Sequence, residues 1–188
     1  MNIAAQFYQL TKRRISKLSS VTGGDICDAY RATLQDQQTI FIKIHHKAPM
    51  LSLEAAGLQW LGQTQTISLP QIIAVEESPT KPGLLALEWI EPTTPSRRNW
   101  EELGQKLALL HSKNPGFFGL QNNNYLGHLT QPNTITDEWP NFFRTHRLLP
   151  QIKMAVDKHK APPSLRKKCA PLLQDLENRL GQPNPSYL

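Results

Sequence analysis

The sequence predicts an α+β fold in two parts, a strand-rich lobe over residues 1–92 and a mostly helical lobe over residues 93–188. Short apolar runs bounded by turn residues dominate the first part and are typical of β-strands. Apolar residues at helical spacing dominate the second part. Pro92 and Pro95 mark the junction between the two. A chain of 188 residues is long enough for two small lobes joined by a hinge.

Five segments of the first lobe have the length and flanking residues of strands, and one helix interrupts them. The strands are predicted at 17–21, 29–34, 39–44, 71–75 and 84–90. The helix is predicted at 52–62, where apolar residues recur at i, i+3, i+4, i+7 and i+8: Leu53, Ala56, Gly57, Trp60 and Leu61. That spacing predicts a single apolar stripe along the helix.

Three helices are predicted in the second lobe. The first begins with Asn99 as N-cap and Glu102 as the other half of a capping box. Its apolar residues fall on one face: Trp100, Leu103, Leu107 and Leu110. The second helix is predicted at 139–147, and the third at 172–180, where Gly181 is a typical C-terminal glycine.

The charge of the chain bears on its partners. Lys and Arg number 21 against 15 Asp and Glu, which gives a net charge of +6. A basic face would indicate nucleic-acid binding, but the basic residues are scattered and no aromatic platform accompanies them. We therefore expect no nucleic-acid partner, and instead a basic surface or a site for an anionic small molecule.

Cysteine usage and hydropathy bear on location. Cys27 and Cys169 are too few for a disulfide scaffold and cannot form a C-x-x-C metal site. The N-terminal residues lack the charge order and apolar stretch of a signal peptide, and no apolar run is long enough to span a bilayer. We expect a cytoplasmic protein with no membrane partner and no metal ligands.

A glycine turn followed by a strand lysine is the first pattern that points to chemistry. Gly23, Gly24 and Asp25 follow the first strand, and Lys43 lies in the third. Paired glycines let backbone N–H groups approach an anion, and a lysine adds positive charge for phosphate oxygens. Alternation along the strand turns Lys43 away from the face that carries Ile42. On these residues alone, a solvated lysine on an edge strand is an equally good interpretation.

The pattern continues into the following helix and strand. Glu54 lies in the first turn of the predicted helix, and a strand lysine paired with a helix glutamate orients the lysine toward nucleotide phosphates in protein-kinase-like folds. The run 84–91 ends in acidic and aromatic residues where a kinase hinge would lie, although an ordinary edge strand is the alternative. The motif G-x-x-x-x-G-K-[ST] is absent, which excludes a P-loop NTPase.

Three segments of the second lobe, together with GGDICDAYR at 23–31, carry a resemblance to a known family. They read LALLH at 107–111, FGLQNNNYLG at 118–127 and WPNFFRTHRLLPQ at 139–151. The chain resembles the fructosamine kinase family, whose protein-kinase-like fold is shared with aminoglycoside and choline phosphotransferases. Those two relatives share the lobes but not the last two segments, so an aminoglycoside-type or choline-type kinase is a minor alternative.

The resemblance implies transfer of the ATP γ-phosphoryl group to a sugar hydroxyl of a ketosamine, either a small molecule or a glycated protein. Lys43 would bind phosphate oxygens, Glu54 would hold Lys43, and the turn that includes Gly23, Gly24 and Asp25 would cover the phosphates. Adenine would lie against the hinge residues Glu88, Trp89 and Ile90. In the family, the catalytic loop and the Mg²⁺ ligands follow the segment that corresponds to Leu188, so no catalytic residue is expected within the chain.

The remaining candidates are weaker. Substrate contacts are assigned to Asn124, Tyr125, Trp139, Arg144 and Arg147, for which packing in the core is the alternative. Cys27 lies in the phosphate-covering turn, where backbone N–H groups and Lys43 would stabilise a thiolate and permit redox sensing. The alternative to a kinase is a non-catalytic remnant that binds nucleotide or responds to oxidation.

Overall fold

The computed structural model describes residues 2–22, 26–46, 49–78 and 80–187. The chain forms two compact units, Met1–Ala108 and Leu109–Leu188. The boundary between these units falls inside a helix rather than at the prolines, and the lobe division at residue 92 stays a prediction. Gly23, Gly24 and Asp25, the predicted phosphate-covering residues, lie outside the described residues.

A five-stranded antiparallel sheet is the centre of the first unit. Its strands are β1 (Ile15–Ser20), β2 (Asp28–Leu34), β3 (Thr39–His45), β4 (Ile72–Glu76) and β5 (Gly83–Glu88), in the order β1-β2-β3-β5-β4. The five predicted strands are confirmed, with β5 ending at Glu88 instead of residue 90. β1 lies at one edge, and its register against β2 shifts between Ile15 and Lys17.

Helix α1 (Ile3–Thr11) precedes the sheet and was not predicted. Asn2 caps it, because the Asn2 side-chain oxygen accepts hydrogen bonds from the N–H groups of Ala4 and Ala5 at 3.0 and 3.3 Å. Phe7 is fully buried in a cluster with Ile40, Ile42, Ile44 and Leu84 of the sheet. The helix therefore covers one face of the sheet and forms the larger of the two cores in this unit.

Helix α2 (Met50–Gly62) covers a second apolar cluster, and the predicted stripe along it is wrong. Leu51 and Ala55 are the buried residues, and they pack with Leu85 and Leu87 of β5. The prediction failed because α2 carries apolar residues on most of its sides, so that several stripes fit the sequence. The helix also begins two residues earlier than predicted, which adds Leu51 to its buried face.

Helix α3 (Arg97–Ser112) begins two residues before the predicted cap, Asn99. The Ser96 hydroxyl accepts a hydrogen bond from the Asn99 N–H at 3.3 Å, and the Asn99 side-chain oxygen accepts one from the Ser96 N–H at 2.8 Å. This is a reciprocal capping arrangement with Ser96 at the cap and Asn99 inside the helix. Of the predicted apolar face only Leu110 is buried, whereas Trp100 is 61% exposed.

The second unit contains a hairpin followed by helices. Strands β6 (Asn124–Leu126) and β7 (Leu129–Gln131) form the hairpin, which was not predicted. The helices are α4 (Trp139–Phe142), a π-helical segment (Phe143–Leu148), α5 (Leu149–Asp157), α6 (Ser164–Gln174) and α7 (Leu176–Leu180). The helix predicted at 139–147 is thus the start of a longer helical stretch, and the one predicted at 172–180 is divided between α6 and α7. Gly181 ends α7 with a φ of +59°, as its position predicts.

A tight loop crossing holds the segment between α3 and the hairpin against the segment after β7. Phe118 forms an isolated antiparallel bridge with Thr136. Gly119 beside it has a φ of +97°, and a Cβ atom there would lie 2.7 Å from the Asn133 carbonyl oxygen and 2.8 Å from that of Thr134. Only glycine fits this position without displacing the backbone.

Helices that could cross a membrane were sought within the described residues. None of the helices there is both long and apolar enough to do so.

Candidate functional site

The predicted ion pair between strand lysine and helix glutamate is present. Lys43 Nζ of β3 lies 2.6 Å from Glu54 Oε2 of α2. The Lys43 side chain is 24% exposed and that of Glu54 is 36% exposed, so the pair is partly shielded from water but reachable. A partly desolvated lysine held by one carboxylate presents a fixed positive charge to an anionic ligand.

Strand alternation explains why Lys43 faces α2. Ile42 and Ile44 point into the core beneath α1, whereas Phe41 packs in the cluster beneath α2. Lys43 follows Phe41 by two residues and therefore shares its face of the sheet. In the ladder, Lys43 lies opposite Ala29 of β2 and Leu85 of β5, so both neighbouring positions are occupied by uncharged side chains.

Glu77 is a positioning residue that the sequence analysis missed. Its Oε2 atom accepts a hydrogen bond at 2.8 Å from the N–H of Ser52, in the first turn of α2. A carboxylate at a helix N-terminus both satisfies a free N–H group and complements the helix dipole. Glu77 therefore fixes the end of α2 that carries Glu54. The signal in the sequence was a carboxylate directly after β4, but its partner is 25 residues away.

Gly83 makes room for Glu77. A Cβ atom at position 83 would lie 2.6 Å from Glu77 Oε1 and 3.2 Å from the Glu76 carbonyl oxygen. Glu77 Oε1 is itself buried and has no hydrogen-bond partner among the described residues. The glycine at the start of β5 thus permits a close approach that a larger residue would block.

Cys27 lies beside this pair but is not activated by it. The thiol packs in the cluster beneath α2. Burial raises its pKa, the positive charge of Lys43 acts in the opposite direction, and the carboxylates of Glu54, Asp28 and Glu77 raise it further. Among the described residues, desolvation outweighs the effect of Lys43 and opposes a thiolate at Cys27. A redox role for Cys27 stays a prediction.

The predicted hinge residues differ in how they are held. Glu88 ends β5, donates its N–H to the Gln71 carbonyl oxygen at 2.8 Å, and accepts from the Gln71 N–H through Oε2 at 3.1 Å. Trp89 is half-buried, and its indole N–H donates to Glu91 Oε2 at 2.7 Å. Ile90 is 62% exposed. The segment after β5 is therefore anchored at its first two residues and open at the third.

In the second unit, Arg147 and Asn124 belong to a partly buried polar network around Asn133. Asn133 is 1% exposed, and its amide donates to Asn124 Oδ1 at 2.8 Å. Arg147 donates to Asn133 Oδ1 at 2.7 Å and to the Pro132 carbonyl oxygen at 2.6 Å. The Gln131 amide, oriented with its oxygen toward the guanidinium, accepts at 3.0 and 3.2 Å.

This network holds a cation without a carboxylate. Among the described residues, no Asp or Glu forms an ion pair with Arg147, and its guanidinium lies 4.6 Å from the Phe142 ring centroid. Burial lowers the pKa of Arg147 from its usual value. The contacts of Arg147 and Asn124 are with the protein itself, which favours the packing alternative for both; substrate contact stays a prediction.

The other three substrate candidates also contact the protein itself, and none of these contacts indicates a ligand. Trp139 packs against Phe118, Phe142 and Phe143 at centroid distances of 5.2, 5.8 and 5.4 Å. Arg144 donates from Nε to the Leu173 carbonyl oxygen at 2.9 Å. Tyr125 pairs with Thr130 across the hairpin. Arg144 also lines an open cavity of about 640 Å³, and substrate contact by Arg144 stays a prediction.

The fold and the pair define a class. A five-stranded antiparallel sheet whose third strand carries a lysine bound to a glutamate of the next helix is the nucleotide-lobe arrangement of protein-kinase-like phosphotransferases. The fructosamine kinase family model matches residues 1–188. The chain belongs to the fructosamine kinase family.

Individual relatives agree with this family. A protein of Synechocystis assigned as a ketoamine kinase is 37% identical over 158 residues, which are 81% of this chain and 53% of the relative. The chloroplastic protein-ribulosamine 3-kinase of Arabidopsis thaliana is 33% identical over 152 residues, or 78% of this chain and 45% of the relative. The chain thus spans about half the length of the curated relatives it matches.

A solved structure extends the comparison to the fold. A Thermobifida fusca protein assigned as a fructosamine-3-kinase superposes with a TM-score of 0.84 at 28% identity, covering 98% of this chain and 64% of that one. The protein-kinase-like α+β class is therefore confirmed.

Proposed function

We propose that this chain is the nucleotide-binding portion of an ATP-dependent kinase that phosphorylates ketosamines on a sugar hydroxyl. The observation that carries the proposal is the Lys43–Glu54 pair at 2.6 Å, on the sheet of a fructosamine kinase family member. Phosphoryl transfer depends mainly on positioning and on neutralising charge, and a strand lysine held by a helix glutamate supplies both at the phosphates.

Each residue of the pair has a separate role. Lys43 contributes a positive charge to phosphate oxygens, and Glu54 fixes its ammonium group so that little conformational freedom is lost when the ligand binds. Glu77 holds the first turn of α2 and thereby Glu54. Glu88, Trp89 and Ile90 receive the adenine, and phosphate binding by residues 23–25, which lie outside the described part of the chain, stays a prediction.

Mg²⁺ bridges phosphate oxygens in kinases of this fold. The described residues contain no cluster of three or more His, Cys, Asp or Glu side chains that could hold a metal ion. Among the described residues we propose Lys43 as the phosphate contact, and we name no metal ligand and no catalytic base there.

The acceptor is proposed from the relatives. Two of them are assigned as acting on ketoamines or on protein-bound ribulosamines. We propose the same substrate class, a ketosamine that is either a small molecule or part of a glycated protein. ATP is the proposed donor of the phosphoryl group. We place the protein in the cytoplasm, because its two cysteines are both free and reduced thiols are typical of that compartment.

Calorimetric titration of the chain with ATP and Mg²⁺ tests the nucleotide site. We expect Lys43→Met to weaken binding by about tenfold or more and Glu54→Gln by about threefold to tenfold, which are the effects of losing or loosening one charge-assisted contact. Lys81→Met is the matched control, because Lys81 also pairs with a carboxylate, Glu76, at 2.8 Å but is not beside Lys43 in the sheet. Equal ATP affinity in Lys43→Met and the unmodified chain would refute the assignment.

Phosphorus NMR with ATP and a fructosyl amine tests turnover. Appearance of a sugar phosphate together with ADP supports the kinase activity in this chain. Nucleotide binding without any new phosphate ester favours the alternative of a binding module that does not catalyse transfer.

A further inference from the structure

We propose that Arg31, Trp89 and Glu91 form a clasp that positions the segment after β5 for the adenine base, with Arg31 as a positioning residue. The proposal rests on the nucleotide site proposed above and adds to it the means by which the base side of that site is held. Arg31 is in β2, and Trp89 and Glu91 are in the segment that follows β5.

The geometry of the clasp centres on the Trp89 indole. Glu91 Oε2 accepts a hydrogen bond from the indole N–H at 2.7 Å. The Arg31 guanidinium lies over the indole ring, 4.8 Å from its centroid. Phe41 approaches the same ring at a centroid distance of 6.2 Å with a tilt of 46°. Trp89 is therefore contacted from β2, from β3 and from its own linker.

The clasp lies on the ligand-facing side of the sheet, next to Lys43. Arg31 is directly opposite Phe41 in the β2–β3 ladder, and Phe41 is opposite Leu87 of β5. Lys43 is two residues further along β3 on the same face, roughly 7 Å away at the usual rise of a strand. Lys43 and the clasp thus lie beside each other on the same face of the sheet.

The strengths of the contacts show how Arg31 is held. Its ion pair with Glu91 is long, at 3.4 Å, and both side chains are well exposed, at 43% and 66%. Such a pair contributes little to stability. The shorter contact is between Glu91 and the indole, so Glu91 anchors Trp89 while Arg31 is held mainly by the ring face.

One atom of Arg31 is left without a partner. Its Nε atom is buried and has no hydrogen-bond acceptor among the described residues. A buried donor without an acceptor costs free energy, and the placement of the Arg31 side chain includes that cost. Stacking on Trp89 is the contact that this arrangement preserves.

The consequence concerns the backbone of the segment that follows β5. Glu88 is tied to Gln71, and the clasp ties the next residue, so the main chain at the base site is ordered before a ligand arrives. Loosening the clasp would add an ordering cost to base binding and leave the phosphate contacts unchanged. The effect should therefore depend on whether the ligand carries a base.

Calorimetry with two ligands, ATP and inorganic tripolyphosphate, separates the two sides of the site. We expect Arg31→Gln and Glu91→Gln to weaken ATP binding by about threefold to tenfold, the size of effect that a lost cation–π or charge-assisted contact produces. Tripolyphosphate affinity should change less than ATP affinity, because tripolyphosphate has no base and the clasp residues contact Trp89 rather than Lys43. Arg13→Gln is the control, since it removes the same charge as Arg31→Gln. Arg13 pairs at 2.7 Å with Asp36, which lies in the turn between β2 and β3.

The outcomes distinguish this inference from the proposed function. If Lys43→Met weakens both ligands but Arg31→Gln and Glu91→Gln leave ATP affinity unchanged, the clasp is refuted and the nucleotide site stands. If Arg31→Gln weakens both ligands equally, Arg31 binds phosphate directly and the clasp is also refuted. If the unmodified chain binds neither ligand, the proposed function itself fails.

A second variant guards against loss of folding. Trp89→Phe keeps an aromatic ring beneath Arg31 but removes the N–H that Glu91 accepts, so it should weaken ATP selectively, as Glu91→Gln does, while the thermal melt stays cooperative. In the spectroscopic test, ATP should shift the tryptophan emission of the unmodified chain, and this shift should be lost in Trp89→Phe. Retention of the full shift would refute the placement of the base beside Trp89.

Discussion

Arg147 offers the sharpest test of the second unit, because one half-buried cation joins the end of the hairpin to the helical stretch. We predict that Arg147→Met destabilises the unit Leu109–Leu188 substantially, whereas Arg147→Lys has a smaller effect. The lysine retains the charge, but it lacks the planar fork that reaches Asn133, Pro132 and Gln131 together.

The magnitude follows from what each substitution leaves behind. Removing the guanidinium deletes hydrogen bonds from a charged donor, each contributing roughly 1.5–3 kcal/mol, and leaves the side-chain oxygen of the 1% exposed Asn133 unpaired. Relief of the desolvation that lowers the pKa of Arg147 offsets part of this loss. We expect a net loss of about 2–4 kcal/mol for Arg147→Met and about half of that for Arg147→Lys.

Urea titration followed by amide hydrogen exchange at peptide resolution measures this loss within the affected unit. Protection should fall across residues 122–133 and remain unchanged across the strands at 28–45. Arg166→Met is the control, since its single ion pair, with Asp157 at 2.9 Å, is exposed and should contribute nothing measurable. A loss below about 1 kcal/mol for Arg147→Met would refute the argument that this network holds the unit together.

Three further predictions concern backbone strain, pH and thiol reactivity. Gly119→Ala should destabilise the chain by about 2–4 kcal/mol, because a positive φ and two close backbone oxygens oppose a Cβ atom. Gly104→Ala, in the open middle of α3, should stabilise the chain by about 0.5–1 kcal/mol. The urea midpoints of the two variants measure this difference. Hydrogen bonds from the side chains of Lys81 and Gln6 lower the pKa of Glu76 in the folded protein. The contribution of the Glu76 carboxylate to the free energy of unfolding is therefore complete above the unfolded-state pKa and is lost as pH falls through the lower folded-state pKa. In pH-dependent melts, Glu76→Gln should make stability depend less on pH over that acidic range. Burial raises the pKa of Cys27, so iodoacetamide should alkylate this thiol more slowly at pH 8 than it alkylates free cysteine. Lys43→Met removes the positive charge that lowers this pKa and should slow the alkylation further. Mass spectrometry that finds faster alkylation of Cys27 in the variant would contradict this order.

The sheet was predictable because its information is local. Each strand is a short run with its own flanking turn residues, and the alternation in β3 placed Lys43 on the face away from Ile42. The face of α2 was not predictable, since Leu51 and Ala55 are only two of many apolar residues in that helix. Which of them is buried depends on the position of β5, more than twenty residues further along the chain.

The candidate site divides in the same way. Lys43 and Glu54 are 11 residues apart, and strand alternation plus a helix start were enough to bring them together. Glu77 acts through a contact with Ser52, 25 residues away, Gly83 acts by making room for Glu77, and nothing in their immediate neighbours marks either residue. Arg147 was singled out as a cation of the helical stretch, but its acceptors lie at the end of the hairpin and just after it, and the short polar strands of that hairpin were not predicted.

The edge strand β1 has a consequence for how the protein behaves at high concentration. Its outer side offers backbone N–H and C=O groups to any chain that could align with them, and an edge of this kind can start intermolecular sheet growth. The register shift between Ile15 and Lys17 interrupts the regular spacing of those groups, and a lysine stands at the interruption. A second molecule aligned along β1 would meet a bent ladder and a positive charge, so that growth of the sheet from molecule to molecule is opposed from within the strand itself.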